Sequence, residues 1–250
     1  MKLLHIMPYS PVPPTFASTL QMYHLLKHMA KYHKVTVLTF GTPEDRHDFQ
    51  KDFNGKLKAT HFVRQPIARR YRPLRQSYFL WTYQSFFYIF ADSKKMQTII
   101  NHFLDKDSYD IIHTEFAQMG FYDFQIYALN VLDTHNIEFE ILQQMSQRVK
   151  SPIRKLHYQH KYKNFIAEEI EAYKKQNAIF TNTQRDKDII TKHVPDIPKF
   201  LVHNNVDTSY FSPIDEPVES YSMVFNAMIV YLPNSDGILC FFDDIYPLFL

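Results

Sequence analysis

Histidine and carboxylate side chains follow two apolar runs that the sequence marks as buried strands. His135 comes just after Val131–Asp133, and His113 and Glu115 stand at the end of the run that begins at Tyr109. Ligands of an open parallel sheet bind beyond the carboxyl ends of its strands, where an imidazole can donate to a hydroxyl or phosphate oxygen. The spacing therefore predicts a polar ligand site. Two structural alternatives stay open: His135 bonds only to local backbone, or Glu115 is a carboxylate at a helix N-terminus.

The elements that would position these residues alternate between short apolar runs and segments with helical spacing. The longest helical segment runs from Pro152 to about Lys175. Such alternation predicts an α/β fold, a Rossmann-like parallel sheet with helices on both faces. The predicted strands are Leu3–Met7, Val35–Phe40, Phe62–Val63, Tyr109–His113, Val131–Asp133, Ala178–Thr181 and Phe200–Val202.

A proline-containing stretch near residue 210 divides the chain. Residues 1–205 are predicted to form one domain and residues 206–220 a linker. Beyond it, Tyr221–Phe225 reads as a strand and Asn234–Leu250 as a helix. One strand and one helix cannot enclose a core, so residues 221–250 are predicted to begin a second Rossmann-like domain that is incomplete.

Composition narrows the class of protein. A net charge of +2 gives no bulk attraction to nucleic acid. The single cysteine, Cys240, excludes an internal disulfide and fits a reducing compartment. No signal peptide is recognisable, and the aromatic run Tyr78–Ala91 is shorter than the roughly 20 residues that span a bilayer. We therefore expect a cytoplasmic protein, in contact at most with a membrane surface.

Three stretches resemble family 4 glycosyltransferases, which have the GT-B fold of two facing Rossmann-like domains. They are Met1–Phe40 (MKLLHIMPYSPVPPTFASTLQMYHLLKHMAKYHKVTVLTF), Val131–Glu138 (VLDTHNIE) and Val202–Pro213 (VHNNVDTSYFSP). The last stretch is similar to the family's interdomain Asn-Gly-Val-Asp…Phe-x-Pro and is followed by Tyr231-Leu-Pro-Asn234, like the family's Tyr-x-Pro-Asn. The matches occur in the family's order.

The resemblance implies a retaining transfer of sugar from a nucleotide-sugar donor to a glycan or lipid-linked acceptor, in cell-surface polysaccharide synthesis. Residues 1–205 would be the acceptor-binding domain, and His135 the catalytic residue beside the transferring sugar. No cofactor and no metal is expected, because His24 and His28, spaced i, i+4, lack a third ligand. The acceptor- or sugar-binding residues that the resemblance implies are His113, Glu115, Asn136, Ala17 and Ser18.

The chain departs from the family pattern where relatives have glycine or histidine. Ala17, Ser18, Asn205 and Ala227 stand at glycine positions, and Glu115 replaces the second histidine of His-x-His. Because the donor side has only one strand and one helix, and because side chains at Ala17, Ser18 and Ala227 keep a phosphate from the backbone, we expect little sugar transfer by this chain alone. A separate donor-domain chain would be a partner. The alternative function is a non-catalytic binding module, either a truncated remnant or one half of a split enzyme. A dinucleotide oxidoreductase is excluded, because no Gly-x-Gly-x-x-Gly follows Met7.

A basic loop precedes the aromatic run. Its arginines could contact an anionic membrane surface, which would suit a lipid-linked acceptor. An arginine-rich loop beside an ordinary core helix is the structural alternative. The candidate membrane contacts are Arg69, Arg70, Arg72 and Arg75.

Overall fold

A seven-stranded, all-parallel sheet is the centre of the fold. The computed structural model describes residues 1–65, 91, 93–124, 128–148, 152–204, 207–208, 211–213, 215, 217, 219–229 and 232–249. The strands are β1 (Lys2–Met7), β2 (Lys34–Phe40), β3 (Ala59–Val63), β4 (Ile111–Glu115), β5 (Leu129–Thr134), β6 (Ala178–Thr181) and β7 (Lys199–Leu201). Their order is β3-β2-β1-β4-β5-β6-β7. The predicted α/β, Rossmann-like architecture is confirmed.

Helices cover both faces of this sheet. They are α1 (Ala17–Tyr32), α2 (Pro43–Phe53), α3 (Lys94–Lys106), α4 (Glu138–Arg148), α5 (Pro152–Lys174) and α6 (Gln184–His193). Apolar residues of α1 and α2 pack with Leu3 and Met7 of β1, whereas those of α3 pack with Leu4 and Ile6. Successive strand residues point to opposite faces, so the two helix sets lie on opposite sides. Helices α5 and α6 pack against β5 and β6.

The strand order reverses direction between β1 and β4. From β1 the chain adds β2 and β3 on one side, and β4 then returns to the other side of β1. In open α/β sheets the crevice at such a topological switch point is where ligands bind. The residues at the carboxyl ends of β1, β4 and β5 are therefore the candidates for a ligand site.

Most strand boundaries agree with the prediction, but β4 differs. Its ladder runs from Ile111 to Glu115, and Glu115 pairs with Asp133 of β5. Glu115 therefore lies within the strand, and the interpretation of Glu115 as a helix-N-terminal carboxylate is wrong. The reason is tertiary: β4 is bonded on both sides, to β1 and β5, and these ladders extend it past His113.

The chain divides into two compact units, Met1–Asn205 and Val206–Leu250. In the second, Leu232–Cys240 forms helix α7, followed by a π-helical segment (Phe241–Ile245) and a 3-10 segment (Tyr246–Phe249). Tyr221–Phe225, predicted as a strand, is turn and irregular backbone. The described part of this unit contains no strand with which Tyr221–Phe225 could pair, and an unpaired segment has no hydrogen-bonded ladder to hold it extended. None of the helices among the described residues is both long and apolar enough to cross a membrane.

Candidate functional site

Strand register brings four polar residues to one face of the sheet. His5 of β1 pairs with His113 of β4, and Glu115 pairs with Asp133 of β5. His113 and Glu115 are two residues apart and so point to the same face. His135, two residues after Asp133, follows directly on the end of β5. These five residues, here called the histidine–glutamate cluster, are all buried.

Glu115 is the centre of the cluster. Its Oε1 accepts a hydrogen bond from His5 Nε2 at 2.7 Å and lies 3.2 Å from His113 Nε2. Its Oε2 accepts a hydrogen bond from His135 Nε2 at 2.7 Å. The side chain of Glu115 is 0% exposed. One buried carboxylate therefore faces three imidazoles from three adjacent strands.

The cluster is strongly coupled electrostatically. Burial by itself would raise the pKa of Glu115, but the neighbouring imidazoles of His113, His135 and His5 hold it well below its ordinary value. Burial opposes charge on His113 and His135 too, yet Glu115 raises the pKa of both imidazoles. At His5 burial prevails and the pKa is lowered. Burial, with the nearby Glu115 charge, raises the pKa of Asp133 to about 6.

Three buried polar atoms of the cluster have no hydrogen-bond partner among the described residues. They are Nδ1 of His5, Nε2 of His113 and Oδ1 of Asp133. The 3.2 Å approach of His113 Nε2 to Glu115 Oε1 does not have hydrogen-bond geometry. Because unsatisfied buried polar groups are rare in native proteins, each calls for an explanation such as an ion, a ligand or a strained state.

Aromatic packing fixes the plane of the His135 ring. Phe116 stacks on it with ring centroids 4.1 Å apart and planes 16° apart. Phe116 has a φ of 66°, which is uncommon for a bulky residue, and its N–H donates to Asp133 O at 2.9 Å. Local strain of this kind persists where the surroundings over-determine it, as they often do at functional sites. Tyr9 also packs against Phe116, with ring centroids 5.8 Å apart, and is hydrogen-bonded to Ser18 at 2.9 Å.

A buried carboxyl group holds the start of helix α4, directly after His135. Glu169 of α5 accepts from the backbone N–H groups of Glu138 and Phe139 at 3.1 and 2.9 Å, and from Tyr173 Oη at 2.5 Å. Burial raises the pKa of Glu169 to about 8 and that of the half-buried Glu138 to about 7. Glu169 thus satisfies two backbone donors that a helix N-terminus leaves open.

Side-chain amides tie the backbone of His135 to helix α1. Asn182, just after β6, donates to the His135 carbonyl at 3.4 Å. Gln21 of α1 donates to Asn182 Oδ1 at 3.3 Å. The loop after β5 is therefore held from two sides, by Asn182 and by the contact of Glu169 with α4.

The structure brings together some of the predicted site residues. His113, Glu115 and His135 converge, as the strand ends indicated. Asn136 is exposed beside His135, and Ala17 is exposed at the first residue of α1. Among the described residues, neither is hydrogen-bonded to a side chain of the cluster. Ser18 reaches it indirectly, through Tyr9 and Phe116. The predicted membrane contacts, Arg69, Arg70, Arg72 and Arg75, lie outside the described residues.

Sequence reasoning missed His5, Asp133, Phe116 and Glu169. His5 sits inside an apolar run and reads as part of a strand. Only the pairing of His5 with His113 shows that the two side chains share a face. The two-residue spacing within a strand could have indicated part of the cluster. His113 and Glu115 are two residues apart, as are Asp133 and His135, so each pair lies on one face of the sheet.

Comparisons with known proteins find partial structural similarity at low sequence identity. No protein-family model and no curated protein matches the chain. Similar solved structures include the N-terminal domain of a Candida albicans trehalose-6-phosphate phosphatase, at 13% identity over 84% of this chain and 49% of that one, with a TM-score of 0.47. Another is Phytolacca americana UGT2 with UDP-2-fluoro-glucose and pterostilbene, at 12% identity over 84% and 56%, with a TM-score of 0.48.

A third is a UGT transferase from Siraitia grosvenorii in complex with UDP. It shows 14% identity over 98% of this chain and 53% of that one, with a TM-score of 0.40. The chain spans about half the length of these structures. None of these comparisons assigns it to family 4, so that resemblance stays a prediction.

Proposed function

We propose that this chain is the acceptor-binding part of a retaining sugar transferase that uses a nucleotide-sugar donor. Its acceptor would be a glycan or a lipid-linked glycan of cell-surface polysaccharide synthesis, at the cytoplasmic face of a membrane. The donor nucleotide would be bound by a further domain or by a separate donor-domain chain. The observation that carries the proposal is the position of the histidine–glutamate cluster at the switch point between β1 and β4.

In this proposal His135 meets the transferring sugar. Its Nε2 is bonded to Glu115, so Nδ1 is the ring atom that would contact a ligand. The raised pKa favours a proton on both nitrogens, and Nδ1 would then donate to a sugar hydroxyl or phosphate oxygen. Phe116 and Glu115 hold the His135 ring in one orientation, so that its Nδ1–H group is in a fixed position for a hydrogen bond to the ligand.

The exposed residues at the same edge of the sheet complete the proposed acceptor surface. Asn136 adjoins His135 and has an amide that can both donate to and accept from hydroxyl groups. Ser18 supplies a half-buried hydroxyl on the first turn of α1, next to the exposed Ala17. Small side chains there leave room for an acceptor while keeping it away from the backbone.

Binding measurements on the purified chain test this function. The chain would be titrated with a panel of glycans, lipid-linked glycan analogues and nucleotide sugars, using calorimetry and saturation-transfer NMR. We expect saturable binding of a glycan class, weak binding of nucleotide sugars and no useful turnover. The His135→Asn substitution should weaken glycan binding about tenfold, the energy of one hydrogen bond to a charged group. His28→Asn, at an exposed position of α1, is the matched control.

Three results would contradict the proposal. Absence of saturable binding by the wild-type chain to every glycan would remove the acceptor role and leave a structural or protein-binding module. Micromolar binding of a nucleotide sugar, or transfer to any acceptor, would show that this chain carries the donor site. Equal binding by wild type and His135→Asn would place the ligand elsewhere.

A further inference from the structure

The histidine–glutamate cluster contains more histidine and carboxylate side chains than hydrogen bonding to a sugar requires. Two imidazoles and one carboxylate converge: one ring nitrogen each of His5 and His113 and one oxygen of Glu115 all lie within 4.8 Å of one another. Glu115 also belongs to a second such group with Asp133 and His135. Two histidines and a carboxylate are the protein ligands of many catalytic zinc and related sites.

We propose that His5, His113 and Glu115 bind a divalent transition-metal ion, of which Zn²⁺ is the best match. Imidazole nitrogen and carboxylate oxygen are ligands that Zn²⁺ takes at about 2.0–2.2 Å. Three protein ligands leave a fourth position for water or another oxygen ligand. The proposal goes beyond the sugar-transferase function and does not depend on it.

The distances fit with a small adjustment. Ligand atoms of a tetrahedral site with bonds of this length are about 3.3 Å apart. His113 Nε2 and Glu115 Oε1 are 3.2 Å apart. His5 Nε2 and Glu115 Oε1, at 2.7 Å, are about 0.6 Å closer than that spacing and would separate by this amount on binding.

The unsatisfied atoms of the cluster favour a cation over hydrogen bonds alone. His113, 4% exposed, directs Nε2 into the cluster without a hydrogen bond, and Asp133 Oδ1 is likewise unpaired. A cation bound to His5, His113 and Glu115 would take the His113 lone pair and balance the carboxylates of Glu115 and Asp133. Buried charges are paired with one another or coordinate metals, because an isolated buried charge is very costly.

His135 would act as a positioning residue for this ion. It is bonded to Oε2 of Glu115, the oxygen that the metal does not need. Groups that hold a ligating carboxylate in this way typically change metal affinity 10–100-fold when they are removed. His135 lies at the carboxyl end of β5, at the edge of the sheet, and is 7% exposed.

Metal titration of the full chain, purified without a histidine tag and freed of metal with a chelator, tests the site. We expect one equivalent of Co²⁺, with the absorption of a four- or five-coordinate N/O site, and its displacement by Zn²⁺. Affinity should fall by about 100-fold or more in His5→Asn and His113→Asn, and about 10–100-fold in His135→Asn. His24→Asn/His28→Asn, which removes the pair on α1, should bind as wild type does.

X-ray absorption of the zinc-loaded wild-type chain needs no variant and covers the case in which a substitution prevents folding. It should show two imidazoles and oxygen ligands around zinc. Absence of stoichiometric binding by the wild type would overturn the proposal. So would full retention of binding in a folded His5→Asn/His113→Asn variant, or its loss in His24→Asn/His28→Asn, which would indicate an adventitious surface site. None of these three results would bear on glycan binding.

Discussion

Glu169 should make the stability of this protein depend on pH in an unusual direction. Its carboxyl group is 0% exposed and accepts two backbone hydrogen bonds from the start of α4 and one from Tyr173. Burial raises its pKa from an ordinary 4.5 to about 8. Between those values the folded chain keeps the proton that the unfolded chain has lost. The free energy of unfolding should therefore fall as pH rises through this window.

The size of the effect follows from the difference between the two pKa values. Each pH unit within the window is worth about 1.4 kcal/mol, so a rise from pH 5 to pH 8 would remove roughly 4 kcal/mol. Glu169→Gln cannot ionise. Its amide keeps one acceptor but turns a donor toward a backbone N–H, which costs about 1–3 kcal/mol at every pH. Wild type should be the more stable at pH 5, and this advantage should shrink or reverse by pH 8.

Urea unfolding followed by circular dichroism at pH 5, 6, 7 and 8 measures this difference. The other titrating groups are common to both chains, so their contributions to the pH dependence of the free energy of unfolding largely cancel in the comparison. Glu171→Gln is the matched control, because Glu171 lies on the same helix with a side chain that is 65% exposed. It should follow the wild-type profile.

The reasoning would be refuted by parallel profiles for wild type and Glu169→Gln. That result would mean that Glu169 titrates alike in the folded and unfolded chains. The reasoning would also be refuted if the stability advantage of wild type over Glu169→Gln grew as the pH rises. The folded chain would then hold Glu169 as an ionised carboxylate, stabilised by its three hydrogen-bond donors, rather than as a neutral acid.

Two further predictions concern single side chains. Phe116→Ala should lower the free energy of unfolding by about 3 kcal/mol and make the His135 ring more mobile, because it removes a buried partner stacked at 4.1 Å. Urea unfolding measures the first effect and NMR relaxation the second. A rigid His135 ring in a folded variant would contradict the prediction. Thr42→Ala should cost about 1 kcal/mol, because Thr42 Oγ1 accepts from Asp45 N at 3.2 Å at the start of α2. Thr42→Ser should keep most of that energy in the same assay, and equal losses would contradict the capping role.

Much of the fold could be predicted because buried parallel strands have a local signature. Leu3–Met7, Val35–Phe40 and Ala178–Thr181 are short apolar runs, and each is a strand within a residue or so of the predicted limits. A strand covered by helices on both faces is a nearly continuous apolar run, so its sequence alone marks it. Tyr221–Phe225 has the same composition without the neighbours, and there the local signal failed.

The sequence by itself determined which residue types stand at the strand ends, including His113, Glu115 and His135, and that the sheet is parallel. Tertiary structure decided which of them meet. The placement of β4 between β1 and β5 sets His5 beside His113 and Glu115 beside Asp133, across more than 100 residues in the first case. Register is a property of paired strands, fixed by packing on both faces, and no local pattern encodes it. The same holds for Glu169, whose buried acid acquires its function only where α5 passes the start of α4.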